Sequence, residues 1–356
     1  MVLFGGRSAE HEVSCTSAAS VLRALDPARY HVVPIGITAD GRWVAPQQAQ
    51  AALAGGPAAL PTALKATGPE VDLLPVLAPA ATDSAEPTVV LPLVHGPFGE
   101  DGTLQGLLEL AGAAYVGAGV LGSALCMDKA MAKQVLARHG IRQARSFALR
   151  DVDSDLRSDA TRRVVVELGW PVFVKPANLG SSVGISRANG PDAFAGALDL
   201  AFGYDEWVVV EEAVAGRELE CGVLGNAELE ASVPGEIVPR GDFYDYDDKY
   251  SSDGAELVVP ANVPDGVASD VRSLAMAAAT ALRAEGMARV DFFLEEGGRG
   301  LLVNEVNTIH GFTPRSMYPR LWEASGVGYP ELVDRLVSLA LERHARRSTR
   351  IGRPRT

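Results

Sequence analysis

Three features predict an α/β protein of two or three domains. A strand, glycine loop and helix open the chain, a second strand–loop–helix unit follows, and 356 residues with 47% hydrophobic content can bury a sizeable core. Val2–Phe4 is a short apolar run that breaks at Gly5-Gly6, and Ala18, Val21, Leu22 and Leu25 then recur at helical spacing from Ser14 onward. A second run covers Tyr30–Ile37. The Ala-, Gly- and Pro-rich stretch Ala45–Pro69 reads as a connection with room for one short helix. Val89–Val94 is β-branched and apolar, ends at His95-Gly96, and leads through Gly99–Gly102 into a helix over Thr103–Leu110.

A further α/β unit starts with a helix over Met127–His139 that carries Lys129 and Lys133. A strand at Val172–Val174 then runs into Lys175 and the small-residue segment Ala177–Gly184. Trp207–Glu211 and Glu218–Leu224 read as strands, Gly241–Gly254 as a tyrosine-rich loop, and Val267–Glu285 as a helix. Ala288–Leu294 and Leu301–Asn307, joined by the turn-like Glu295–Gly300, read as an antiparallel hairpin. The last helix is predicted over Tyr329–Arg343, followed by a basic tail read as disordered and functionally silent.

Composition excludes several classes. A net charge of -13 argues against a nucleic-acid footprint, so any anionic substrate must be met by a local cluster of cations. Cys15, Cys126 and Cys221 are odd in number and share no CxxC spacing, which indicates neither a disulfide framework nor a zinc site. No apolar stretch is long enough to span a membrane and no leader pattern opens the chain, so a cytoplasmic protein is expected.

The hairpin carries the most chemistry. Strand side chains alternate faces, so Arg289 and Asp291 share one face, as do Glu305 and Asn307 on the partner strand. A turn centred near Gly298 sets Asp291 opposite Glu305 and Arg289 opposite Asn307. Two facing carboxylates repel unless a cation lies between them, and magnesium, shared with a nucleotide's phosphates, is the natural occupant. A solvated, salt-bridged sheet face reads the same way. The loop after Lys175 is a phosphate-cradle candidate, because small residues let backbone N–H groups approach an anion, and Lys129 and Lys175 flank it. It is not a Walker A loop. Gly117–Gly122 matches GxGxxG, but the acidic residue a dinucleotide fold needs about 20 positions later is missing around Arg142–Phe147. A turn between domains is the better reading of those glycines than a site for NAD in an oxidoreductase.

Several blocks together resemble a known family. Phe4–Ser14 (FGGRSAEHEVS), His95–Thr103 (HGPFGEDGT), Met127-Asp128-Lys129, Val174-Lys175-Pro176 with Gly180–Gly184 (GSSVG), and Phe243–Tyr250 (FYDYDDKY) occur in order along the chain. Arg289-Val290-Asp291, Asn304–Thr308 (NEVNT), Gly311-Phe312-Thr313 and Ser316–Pro319 (SMYP) complete the set. In this order they resemble the D-alanine:D-alanine ligases of the ATP-grasp superfamily, over nearly the whole chain.

The resemblance implies an ATP-grasp arrangement of three domains: an N-terminal parallel-sheet α/β domain (1–125), and two α+β domains (126–215 and 216–345) enclosing ATP, with a lid loop at 241–254 and a tail at 346–356. It implies ATP-dependent ligation of two D-alanines through an acyl phosphate for peptidoglycan precursor synthesis. A relative that takes D-lactate or another D-amino acid as second substrate is the alternative. Glu10 and His95 would hold the amine of the first D-alanine, and Glu10, Ser181 and Tyr250 would form a triad that docks the lid. Lys129, Lys175 and Lys249 would contact ATP phosphates, Glu211, Glu212, Ala213 and Val214 would frame the adenine, and Glu218 would bind the ribose. Asp291, Glu305 and Asn307 would hold two magnesium ions, with manganese able to substitute. Arg289 and the Gly311 N–H would stabilise the oxyanion, while Ser316 and the Met317 backbone would receive the second carboxylate. A homodimer is implied, with no nucleic-acid or membrane partner. The chain departs from the family pattern at His310, where Pro is usual, and at Pro314-Arg315, where small polar or apolar residues are usual. The His310 imidazole is expected to titrate near neutrality.

Overall fold

The computed structural model describes residues 1–72, 87–151, 156–239 and 255–351, and these build three sheets in three successive stretches of sequence. The first contains β1 (Val2–Gly5), β2 (Pro34–Ile37), β3 (Trp43–Val44), β4 (Val89–Pro92) and β5 (Ala114–Tyr115) in the order β3-β2-β1-β4-β5. β1, β2, β4 and β5 run parallel, as strand–loop–helix repeats require, and β3 closes one edge antiparallel. Helices α1 (His11–Ala24), α2 (Gln47–Ala54) and α3 (Thr103–Leu110) accompany this sheet. α1 buries Ala18, Val21 and Leu22, the spacing that marks it in the sequence.

α4 (Val120–Met127) and α5 (Lys129–Arg138) replace the single helix expected over Met127–His139. The break is at Asp128, which leaves the helical region and caps α5 by accepting a hydrogen bond from the Met131 N–H at 2.9 Å. The glycines of 117–122 serve packing here. A Cβ at Gly122 would lie 2.3 Å from the Arg283 carbonyl oxygen, and one at Gly286 would lie 3.1 Å from the Gly117 backbone. The turn is thus packed against the segment Arg283–Gly286, which favours the reading of these glycines as a turn between domains over the NAD alternative.

The second sheet has the order β6 (Ser146–Arg150), β9 (Trp207–Glu212), β7 (Val172–Pro176), β8 (Ser186–Ala188), all antiparallel. α6 (Leu156–Arg163) and α7 (Pro191–Phe202) belong to the same stretch, where Val164, Phe194 and Leu198 join Val172, Val174 and Val210 in one apolar cluster. The third sheet is also antiparallel: β13 (Glu256–Val258), β12 (Gly235–Val238), β10 (Arg217–Gly225), β14 (Gly286–Glu295) and β15 (Gly300–Asn307), with β11 (Leu229–Ala231) also on β10. α8 (Asp265–Leu282) covers it through Val271, Ala275, Ala278 and Leu282. Among the described residues no helix is long and apolar enough to cross a membrane.

α9 (Met317–Ala324) and α10 (Tyr329–Ile351) complete the chain. α10 overruns its expected end at Arg343, so most of the segment expected to be disordered is helical. The cause is a set of acceptors distant in sequence. The buried Arg343 donates to the backbone oxygens of Tyr115 and Gly117 and stacks on the Tyr115 ring, while Arg346 pairs with Glu285 and Arg347 with Glu109. Residues 352–356 lie outside the described residues.

Candidate active site

The β14–β15 register sets Asp291 opposite Glu305 and Arg289 opposite Asn307, as a turn centred near Gly298 predicts. β10 extends the row, because Glu220 pairs with Asp291 on the other side. Three carboxylates therefore lie abreast on three adjacent strands. Arg289 compensates part of this charge: its Nε and Nη2 donate to the Asp291 carboxylate at 2.7 and 2.8 Å, and Nε lies 3.0 Å from Glu220. Burial pulls the Arg289 pKa down, but Asp291, Glu220 and Glu305 outweigh it and hold the guanidinium charged. The Asn307 amide donates to Asp291 at 2.9 Å. Glu220 is absent from the sequence-based set, although its spacing of two from Glu218 places both on one strand face.

A cavity of about 740 Å³ opens over this face. Glu10, Ser181, Arg289, Gly311, Ser316 and Met317 line it, and so do Lys129, Glu305 and Asn307. The expected catalytic and second-carboxylate residues among the described positions thus meet in one space. Asp291 is buried beneath Arg289, and His95 is buried with Nδ1 3.1 Å from the Ile309 carbonyl oxygen. Two loops come close to Glu10 at Gly96 and Gly180, where a Cβ would lie in ordinary contact with its Oε2, at 3.6 and 3.7 Å.

The loop after β7 has the compact geometry expected of a cradle. Ser181 and Ser182 both adopt left-handed backbone conformations, φ 53° and 59°, and Val183 and Ile185 close successive turns on Gly180 and Ser182. Lys129 ties this loop to the carboxylate face, donating to the Leu179 carbonyl at 2.7 Å with Glu305 3.7 Å away. Lys175 does not reach the cavity. It shares the buried Glu211 carboxylate with Lys133. Burial alone would raise the Glu211 pKa, but the two ammonium groups hold it well below the ordinary carboxylate range. Burial also depresses Lys175, yet Glu211, Glu305 and Glu218 leave its net shift upward.

Of the expected adenine frame, Glu211 thus faces two lysines, and Glu212 accepts from Arg145 and Arg299. Ala213 is fixed through its N–H to the Pro171 oxygen at 3.1 Å, and neither Val214 nor Glu218 lines the cavity. Lys133 escaped the site reading because its partner is 78 residues away, although its spacing of four from Lys129 places both lysines on one side of α5. Lys249, Tyr250 and the whole of 240–254 lie outside the described residues.

Two buried titratable groups flank the cavity. Glu100 accepts from the Gly96 N–H at 2.6 Å and the Ile309 N–H at 3.3 Å, joining the loop after β4 to the loop after β15. Burial first, and the nearby Glu10 charge second, raise its pKa from 4.5 to about 8. His310 corrects the expectation of a near-neutral titration: burial and then the Arg289 charge push it well below 6.5, so its imidazole is neutral at physiological pH. It stacks on Tyr318 with ring centroids 3.8 Å apart. Beyond it, Thr313 and Ser316 share an Oγ–Oγ hydrogen bond of 2.9 Å, and Ser316 starts α9.

Comparison with known proteins agrees with this arrangement. Residues 1–118 match the family model described as D-ala D-ala ligase N-terminus, and residues 135–338 match D-ala D-ala ligase C-terminus. The D-alanine--D-alanine ligase of Geobacillus kaustophilus is 47% identical over 98% of this chain and 96% of its own length. Among solved structures, the D-alanine-D-alanine ligase from Coxiella burnetii has a TM-score of 0.82 at 37% identity, covering 98% of this chain and 95% of that one. VanG D-Ala:D-Ser ligase from Enterococcus faecalis has a TM-score of 0.81 at 33% identity, covering 95% and 98%. With both halves matched and identity sustained from end to end, the chain belongs to the D-alanine–D-alanine ligase family, whose fold is the ATP grasp.

Proposed function

We propose that this chain is an ATP-dependent ligase that joins two D-alanines into D-alanyl-D-alanine, a peptidoglycan precursor. The observation that carries the reading is the single cavity that holds Glu10 together with Arg289, the Gly311 backbone and the start of α9. A carboxylate suits one substrate's ammonium group, and a guanidinium with N–H donors suits developing negative charge. In this reading the carboxylate of the first D-alanine attacks the γ-phosphorus of ATP and ADP leaves. The amine of the second attacks the resulting acyl phosphate, and inorganic phosphate departs from a tetrahedral intermediate.

Glu10, with His95 behind it, orients the first ammonium group. Lys129, Lys175 and Lys249 place the phosphates, and Glu211, Glu212, Ala213, Val214 and Glu218 lie around the nucleoside. Lys175 leaves Glu211 for the nucleotide while Lys133 stays to balance that buried carboxylate. Arg289 and the Gly311 N–H stabilise the oxyanion, and Ser316 with the Met317 N–H receives the second carboxylate at a helix N-terminus.

The donor set at Asp291, Glu305 and Asn307 fits a hard divalent cation, since it offers carboxylate and amide oxygens on two adjacent strands. Among the described residues no group of three or more His, Cys, Asp or Glu is placed to hold a metal ion by itself, so the cation would take its remaining ligands from phosphates and water. Two magnesium ions, with manganese able to substitute, would supply charge neutralisation for phosphoryl transfer. Tyr250, Ser181 and Glu10 tie down the loop at 241–254, whose closure keeps water from the acyl phosphate. The same reading makes 1–125, 126–215 and 216–345 the domains of a cytoplasmic homodimer, which light scattering and fractionation would check.

The test is phosphate release from ATP with a panel of D- and L-amino acids, D-serine and D-lactate, products identified by mass. D-Alanine alone should give the dipeptide. Turnover only with a different second substrate would overturn the substrate assignment, and no phosphate release under any pairing would overturn the ligase itself.

A further inference from the structure

The cavity is rich in acid. Glu10, Glu12, Glu220 and Glu305 line it beside Glu100, whose raised pKa of about 8 keeps it mostly protonated near neutral pH, against Lys129, Arg289 and Arg315. Two of these cations are already committed, Arg289 to Asp291 and Glu220, and Lys129 beside Glu305. Arg315 has no ion-pair or hydrogen-bond partner among the described residues, and it is exposed. Its chain neighbour Ser316 starts α9, where the N–H groups of Met317 and Tyr318 come first and Pro319 has none to offer. A substrate carboxylate entering this space is repelled by the acids, and a cation cancelled by its own partner attracts little. Arg315 is the one cation lining the cavity, among the described residues, whose charge is not spoken for, and it stands where the family pattern usually has a small residue.

We propose that Arg315 is a specificity residue for the second substrate, its guanidinium receiving the carboxylate of the incoming amino acid together with Ser316 and the first turn of α9. The assignment rests on the ligase reading and deepens it. Arginine suits the task because its planar fork meets a carboxylate through two parallel hydrogen bonds. Its exposure limits the effect and makes it sensitive to salt.

The experiment is steady-state kinetics of the native chain, Arg315→Ser and Arg315→Lys, with D-alanine or D-alaninamide as second substrate. Arg315→Ser should raise the KM for the second D-alanine about two- to fivefold, the scale of one exposed charge contact, with kcat and the ATP KM essentially unchanged. Arg315→Lys should recover part of the loss. Added salt should raise that KM in the native chain and scarcely change it in Arg315→Ser. D-Alaninamide, which lacks the carboxylate, should be used equally well by all three proteins. An unchanged KM for the second D-alanine in Arg315→Ser, or an equal loss with D-alaninamide, overturns the assignment while the native chain still makes the dipeptide. A native chain that makes no dipeptide overturns the ligase reading itself, and this inference with it.

Discussion

Asp291 stands directly opposite Glu305 across the β14–β15 ladder, and the ladder slips immediately after that pair. The irregularity leaves Phe292 opposite Val303, so Asn304 has no partner of its own. The carboxylate pair therefore sits where the ladder changes register, at the edge of the cavity rather than within a regular sheet face.

Glu305→Gln should abolish turnover and leave the fold intact, since it removes one of the two carboxylates available to a divalent cation. Turnover measured across a magnesium titration, beside a thermal melt, checks this. Near-native activity at ordinary magnesium concentration would remove Glu305 from the metal site.

Arg289→Ala should lower kcat by roughly 10²- to 10³-fold, the usual loss for one oxyanion donor. The substitution also uncovers Asp291 and Glu220, so a loss of stability of about 3–5 kcal/mol should accompany it, as for other broken buried pairs. A change confined to the ATP KM would contradict the oxyanion role.

Glu211→Gln should destabilise the protein by about 3–5 kcal/mol, because Lys133 and Lys175 are both left charged and buried without their shared partner. Urea denaturation would measure it. Adding Lys133→Met should restore part of the stability, whereas strict additivity of the two losses would show that the lysines do not depend on Glu211.

Glu100 gives a pH signature. Its folded pKa of about 8 exceeds the unfolded value near 4.5, so between these limits the folded state holds a proton that the unfolded state has released. Its contribution is fully present below about pH 4.5 and is lost as pH rises to 8, with a slope of at most about 1.4 kcal/mol per pH unit. Glu100→Gln removes the ionisation and should gain stability relative to the native chain as pH rises from 5 to 8. Parallel stability–pH curves for the two proteins would contradict the burial argument.

The parts of the site legible in the sequence are those set by local periodicity. The two-residue repeat groups these side chains, and an assumed turn centre at Gly298 pairs Asp291 with Glu305. The turn itself sets Glu295 opposite Gly300, a register that runs on to Asn304, and it is the slip after Asp291, invisible in the repeat, that brings Glu305 opposite it. Long-range partners are what the sequence hides. Lys133 finds Glu211 on β9, and α10 continues past Arg343 because Tyr115, Glu109 and Glu285 wait for its arginines. His310 is read wrongly for the same reason: its imidazole would titrate near neutrality in water, and only the packing of Tyr318 and Phe312 around it, with Arg289 nearby, removes that titration.

The most direct test of the central claim follows oxygen rather than rate. D-Alanine labelled with ¹⁸O in both carboxylate oxygens, incubated with ATP and this protein, should yield dipeptide, ADP and inorganic phosphate carrying one labelled oxygen per turnover. That transfer occurs only if the carboxylate attacks the γ-phosphorus and the amine then expels phosphate from the acyl carbon. Unlabelled phosphate, or AMP with pyrophosphate in place of ADP, would contradict the acyl-phosphate ligase described here.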